Sequence, residues 1–209
     1  MRPIAENPCP YLLQTGPFGA SMEPCDAWMR IATLKRIGSI IMTKKPEFQI
    51  FRNTDGVGLM KSGHQDMAPA TPVQNAGIEK MVEAGLLDGG DVRVIADVPG
   101  LNLVHIWFKK DFPLPLHSHN VDCLYYIIAG AITLGTEQLG PRDSFFVPAE
   151  APYTYRTGPH GVELLEIRAG NHWDFKNHAQ GQAFYDQALA TVAAKRKEWQ
   201  EAPRPPLNI

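Results

Sequence analysis

Apolar and polar positions change texture along the chain. Between residues 91 and 169, short runs rich in β-branched and aromatic residues recur: Val92 to Ala96, Leu101 to Phe108, Leu124 to Leu134, Ser144 to Val147, Tyr153 to Arg156 and Val162 to Arg168. Each is bounded by Gly, Pro or Asp, as strands joined by hairpins are. Runs this short, spaced by about ten residues and with no helical pattern between them, predict a sandwich or jelly-roll barrel rather than a parallel α/β sheet.

The flanks read differently. Residues 1–90 form an irregular N-terminal arm punctuated by proline, with a short helix over Asp26 to Ile37 and short strands over Phe48 to Phe51 and Val57 to Met60. At its end Asn75 is placed to cap a helix that carries Ile78, Met81, Val82 and Leu86 at helical spacing and closes on Gly89 and Gly90. Residues 170–209 read as a helical tail: Ala179 to Glu201 carries Phe184, Leu189, Val192 and Trp199 partly in register. Lys195, Arg196 and Lys197 favour the C-terminal end of its dipole, and Pro203 stops it.

Composition narrows the classes. A chain of 209 residues with 44% apolar content can bury one good core. The formal charge of -2 generates no field that would gather nucleic acid or an anionic membrane, so neither is an expected partner. Cys9, Cys25 and Cys123 are too scattered for a disulfide framework and form no CxxC pair. Residues 1–14 lack the apolar segment of a signal peptide, and no stretch reaches the roughly 20 apolar residues of a membrane span. The expected setting is the cytoplasm.

Candidate chemistry centres on His117 and His119. Two residues apart on an extended segment, both rings project from one face, where two imidazoles can share a metal. With 7 histidines in 209 residues such a pair arises by chance in roughly one chain in four, so its surroundings must decide.

Those surroundings, residues 114–158, resemble the cupin superfamily. The first cupin motif is matched by His117, His119 and Gly130, with Cys123 where the family has Glu; the second is matched by Gly140, Asp143, Phe145, Phe146, Val147 and Pro148, with Tyr153 where the family has His. The resemblance implies an all-β cupin jelly-roll β-barrel with an irregular N-terminal arm and a C-terminal helix, pairing as a homodimer. It also implies a divalent metal, such as iron, zinc, manganese or copper, and a small-molecule substrate.

The two departures leave three readings open. Cys123 as thiolate and Tyr153 as phenolate join the metal shell; or His117 and His119 hold the metal while Tyr153 or Tyr125 transfers a proton; or no metal binds and the pocket recognises a small molecule. His105, Trp107, Phe145 and Tyr155 are candidates for the pocket wall, suited to a planar substrate. Glu163 and Glu166 lie on opposite faces of the last run, so at most one can look inward, and solvent is the expectation for each. The functional expectation is a metal-dependent enzyme acting on a small organic, aromatic or otherwise, by oxygenase or by lyase or isomerase chemistry. The alternative is a noncatalytic binding or sensor protein.

Overall fold

Alternation becomes strand from residue 90 onward. The structure, a computed structural model, describes residues 47–207, and the helix expected over Asp26 to Ile37 lies outside them. In chain order the elements are β1 (Val57–Gly58), α1 (Leu59–Ser62), β2 (Gln65–Met67), α2 (Pro72–Ala84), β3 (Gly90–Val98), β4 (Leu101–Phe108), β5 (His117–Ser118), β6 (Cys123–Leu134), β7 (Glu137–Leu139), β8 (Ser144–Val147), β9 (Arg156–Arg168), β10 (Trp173–Asn177) and α3 (Gln182–Glu201). This is the expected all-β class with a helix at its C-terminal side. Among the described residues no helix is long and apolar enough to cross a membrane.

One sheet runs β1-β3-β4-β9-β6-β7 with β8 also on β6, and a smaller one runs β2-β10-β5. Pairing is antiparallel except where β10 runs parallel to β2. In β4 the inward set is Asn102, Val104, Ile106 and Phe108; in β6 it is Cys123, Tyr125, Ile127 and Ala129; in β9 it is Val162, Leu164, Glu166 and Arg168. Register then sets neighbours: Cys123 lies opposite Arg168, Tyr125 opposite Glu166, and Ile127 opposite Leu164.

The long β9 replaces two expected runs. Tyr153 to Arg156 is not a strand; Tyr153 makes only an isolated bridge to His117, while Arg156 to Arg168 is continuous. Continuity through the Thr157–Gly161 stretch is possible because Gly161 has φ +77°, and Gly130, at φ +75°, faces it across the β6 register shift. A Cβ on Gly130 would stand 2.2 Å from the Gly161 carbonyl oxygen, so only glycine permits the approach.

The helices begin and end where their caps are. Thr71 and Gln74 form a reciprocal capping box, Thr71 N–H to Gln74 Oε1 at 2.7 Å and Gln74 N–H to Thr71 Oγ1 at 3.3 Å, with Pro72 in the first turn. Asn75 is therefore inside α2 rather than its cap, and the helix closes on left-handed Gly85, four residues before Gly89. Buried Met81 packs with Tyr185, Ala188, Val192 and Trp199 of α3, a second apolar cluster beside the β core.

Two short strands expected in the arm differ as well. Phe48 to Phe51 is irregular, with Phe48 92% exposed and no sheet to cover it. Only Val57–Gly58 of the second is strand; Leu59 to Ser62 turns helical, with the Ser62 hydroxyl donating to the Leu59 carbonyl. Beyond residue 169, β10 is a strand within the span read as a helical tail.

Candidate active site

His117 and His119 are held by backbone on both sides. His117 exchanges both main-chain hydrogen bonds with Tyr153, at 3.0 and 2.9 Å, and the His119 carbonyl accepts from the Glu150 N–H at 2.7 Å. Beyond His119, Asn120 and Asp174 clamp each other: Asn120 N–H donates to Asp174 Oδ1 at 2.8 Å and Asp174 N–H to Asn120 Oδ1 at 2.9 Å.

This scaffold fixes the ring tautomers. Nδ1 of His117 donates to the Pro115 carbonyl at 2.8 Å, and Nδ1 of His119 donates to the Asp174 carbonyl. A carbonyl can only accept, so each Nδ1 carries the proton and each Nε2 keeps its lone pair. Burial pushes both histidines down to about 4, against the opposing pull of those carbonyls, so both are neutral at pH 7. Neutral imidazole with Nδ1–H tied to an acceptor is the form in which histidine binds a metal.

The rings stand 5.1 Å apart, centre to centre, at 75°. Two imidazoles at roughly 2.1 Å from a shared ion have their centres roughly 3.3 Å from it, a separation compatible with one ion between them. Among the described residues no group of three or more His, Cys, Asp or Glu side chains is placed around one such point. A metal at this point would take two protein ligands from His117 and His119.

Both histidines open on a pocket of about 100 Å³, whose polar wall is Gln65, His117, His119, Tyr153, Tyr155, Glu166 and Arg168. Ile106, Phe108 and Phe175 form its apolar wall. Phe175 stacks on His117 with centres 4.9 Å apart at 15°, a contact made by β10. A larger cleft of 660 Å³ between α3 and the 111–114 loop holds no histidine and shares Leu114 and Tyr155 with the inner cavity.

The two catalytic tyrosine candidates are brought together but are not equivalent. Their hydroxyls hydrogen-bond to each other. Tyr153 lines the cavity, whereas Tyr125 is wholly buried behind it, stacked on Phe145 at 4.4 Å. Burial, reinforced by the Glu166 charge, raises both phenols well above their ordinary range, and Tyr155 with them. Each is a neutral hydroxyl able to donate.

Cys123 is inward as its strand parity requires, yet it is not among the cavity-lining residues. Burial first, then Glu166, pushes its thiol up to about 12, so that Cys123 without a metal is a small, neutral buried group. His105 and Trp107 occupy the opposite face of β4 from Ile106 and Phe108, so neither reaches the cavity. His105 Nε2 meets Glu163 Oε1 at 2.7 Å, and Trp107 lies between Lys109 and Arg204, 4.7 and 4.2 Å from its ring centre. Phe145 supports Tyr125 without reaching the cavity; of the four expected wall residues Tyr155 alone lines it.

Glu166 and Arg168 are the residues that sequence reasoning missed. Solvent was the expectation for Glu166, but it is 6% exposed and Arg168 2%, and the two form an ion pair. Parity with Val162 and Leu164 was the available signal: a Glu-x-Arg pair continuing an apolar face inward. Burial opposes the Arg168 charge, but Glu166 together with Tyr125, Cys123 and Tyr153 outweighs it and holds its pKa above the ordinary value. Arg168 Nη1 meets the Glu166 carboxylate, while the buried Nε has no hydrogen-bond acceptor among the described residues.

Three comparisons bear on this arrangement. No family model matches the chain, and no curated protein does. Solved structures similar to it include an RmlC-like cupin from Shewanella frigidimarina, at 24% identity over 39% of this chain and 77% of that one, TM-score 0.36. The polyketide cyclase RemF from Streptomyces resistomycificus is similar at 19% identity over 51% and 82%, TM-score 0.40. A variant of salicylate 1,2-dioxygenase from Pseudoaminobacter salicylatoxidans is similar at 13% identity over 51% and 37%, TM-score 0.39. The solved structures to which the chain is similar thus include cupins, each at less than 25% identity.

The buried ion pair generates a stability prediction. Glu166→Gln or Arg168→Met alone leaves one charge buried without its partner and lowers unfolding free energy by about 3–5 kcal/mol. The double substitution removes both and recovers most of that loss, as urea denaturation of the four proteins will measure. Additive losses would show that the two side chains are not coupled.

Proposed function

We propose that this protein is a metal-dependent enzyme of cupin type that acts on a small organic molecule by proton transfer, as a lyase or isomerase. The observation that carries the reading is the pair of neutral imidazoles whose Nδ1–H groups are tied to Pro115 and Asp174, leaving two Nε2 lone pairs at one cavity. Imidazole donors without a thiolate suit zinc, iron or copper. His117 and His119 would hold a divalent ion, which when bound would supply Lewis acidity to a substrate oxygen.

The chain's own groups do the rest. Tyr153, at the cavity wall and within 4.3 Å of the His117 ring centre to centre, is placed to give a proton to substrate. Tyr125 is a positioning residue: its hydroxyl fixes that of Tyr153, and its stacking on Phe145 fixes its own ring. Ile106, Phe108 and Phe175 give the pocket an apolar side against which the carbon part of a substrate can pack.

Pairing as a homodimer belongs to the same proposal. What supports it is the outer sheet face, where Leu124, Tyr126 and Phe146 are 41%, 38% and 59% exposed and adjoin Leu165 and Ile167.

Metal analysis of the full-length protein, produced in metal-supplemented medium, is expected to find close to one divalent ion per chain, lost in the His117→Ala/His119→Ala variant. Absence of metal from the parent, or equal content in both, overturns the metal reading. On a substrate found by screening the metal-loaded protein, Tyr153→Phe should lower kcat by roughly 10²–10⁴ and Tyr125→Phe by less; unchanged turnover in Tyr153→Phe removes it as the proton donor. Sedimentation equilibrium should give a dimer for the parent and a monomer for Phe146→Glu, and a monomeric parent rejects the pairing.

A further inference from the structure

We infer that the molecule taken into the pocket carries a hydroxyl group, which Tyr155 holds as donor and Glu166 as acceptor. A small hydroxy compound is then the substrate class of the proposed enzyme, a conclusion that rests on reading the pocket as its substrate pocket.

Three tyrosines stand at or behind the pocket, and their hydroxyls are not equally free. Those of Tyr125 and Tyr153 are spent on each other. Tyr155 is 4% exposed, and among the described residues its hydroxyl has no hydrogen-bond partner. Arg168 Nε is partnerless too but sealed in; the Tyr155 oxygen is not among the sealed atoms, so it looks onto open volume. Tyr155 borders both the pocket and the outer cleft. Its phenol feels Glu166, Tyr153 and Cys123, all groups of the interior, which puts the oxygen on the pocket side. Phe145 meets the ring edge-on, centres 6.2 Å apart at 73°, and limits its swing. An interior hydroxyl without a partner costs stability, and at a pocket wall it marks a place where a bound molecule completes the bond.

The acceptor stands on β9. Glu166 Oε2 meets Arg168 Nη1, and the guanidinium carbon lies 4.4 Å from the Trp173 ring centre, so the pair is braced. Glu166 Oε1 accepts no hydrogen bond among the described residues and is likewise not sealed from the pocket that the side chain lines.

A phenol and a carboxylate in one small pocket select a group that both accepts and donates. The carboxylate only accepts, so the ligand must bring a hydrogen to Glu166; Tyr155 donates, so the ligand must bring a lone pair. A hydroxyl does both from one atom. A ligand carboxylate is repelled by Glu166, an ammonium by Arg168, and a bare carbonyl serves Tyr155 alone. The volume of about 100 Å³, three or four times a water's share of roughly 30 Å³, admits a hydroxy compound of a few carbon atoms. Water itself could satisfy the same two groups, and it is the rival occupant.

Hydroxyacetone and butanone, and likewise glycolamide and propionamide, differ by a hydroxyl in place of a methyl. Calorimetric titration of the full-length protein should show at least one hydroxy compound binding roughly tenfold or more tighter than its methyl counterpart. In Tyr155→Phe that ratio should fall to near one while the methyl compound binds as before; a tyrosine that only fills space would leave the ratio alone. Glu166→Gln/Arg168→Met puts a weaker acceptor in place of the carboxylate and should retain only part of the ratio. Because the hydroxyl removed has no partner of its own, Tyr155→Phe should unfold in urea at the parent's midpoint or above it. A clearly lower midpoint reveals an internal partner and overturns the inference. So do equal affinities within both pairs, absence of binding by both hydroxy compounds, which leaves water as the occupant, or a ratio unchanged in either variant. The titrations are run on metal-loaded and metal-stripped protein. A Tyr155-dependent ratio in stripped protein stands even if the metal reading fails. A ratio seen only with metal and unaltered in Tyr155→Phe assigns the hydroxyl to the metal, which overturns the inference and leaves the metal reading intact.

Discussion

The Glu166–Arg168 pair is the constraint around which the interior is organised. Two opposite charges on the inward face of β9 are tolerable only together, because either alone would be desolvated without compensation. Their field reaches every titratable group of the cavity. Glu166 adds to burial in holding Tyr125, Tyr153, Tyr155 and Cys123 protonated, while Arg168 adds to burial in keeping His119 neutral. One cross-strand register, Tyr125 against Glu166 and Cys123 against Arg168, thus places both charges beside groups that burial already holds neutral.

Much of this was legible in the sequence, for reasons that can be stated. Period-two alternation located β4, β6 and β8, because strands with one buried face must alternate. The His-x-His spacing and the glycine and proline landmarks of residues 114–158 located the cavity wall, and the structures to which the chain is similar include cupins. Parity placed Cys123 and Tyr125 on one inward face. What parity alone does not supply is the sign of a face. His105 and Trp107 alternate as well as Ile106 and Phe108 do, and which set looks inward is decided by pairing with β3 and β9, contacts far away in sequence.

Glu166 and Arg168 were hidden for a related reason. A charge on a strand is solvated by default, and its burial becomes intelligible only when a partner of opposite sign is two residues away on the same face. The strand β10 was hidden because Trp173 to Asn177 is short and mixed in character; its identity comes from β2 and β5 on either side. Helix boundaries moved for local reasons: the Thr71–Gln74 capping box and the left-handed Gly85 outweigh the asparagine and the glycine pair downstream.

The carbonyl that orients His119 belongs to Asp174, on a strand made 55 residues later in the chain. As the polypeptide is synthesised, the His117–His119 segment therefore emerges long before the group that fixes its tautomer. During that interval the His119 imidazole lacks the acceptor that fixes its tautomer, whereas the acceptor of His117, Pro115, has already been made. Docking of β10 converts the two imidazoles into an oriented pair and, through Phe175 on His117, closes the wall in the same step. The orientation of His119 is thus a property of the completed fold and not of the motif that first suggests it.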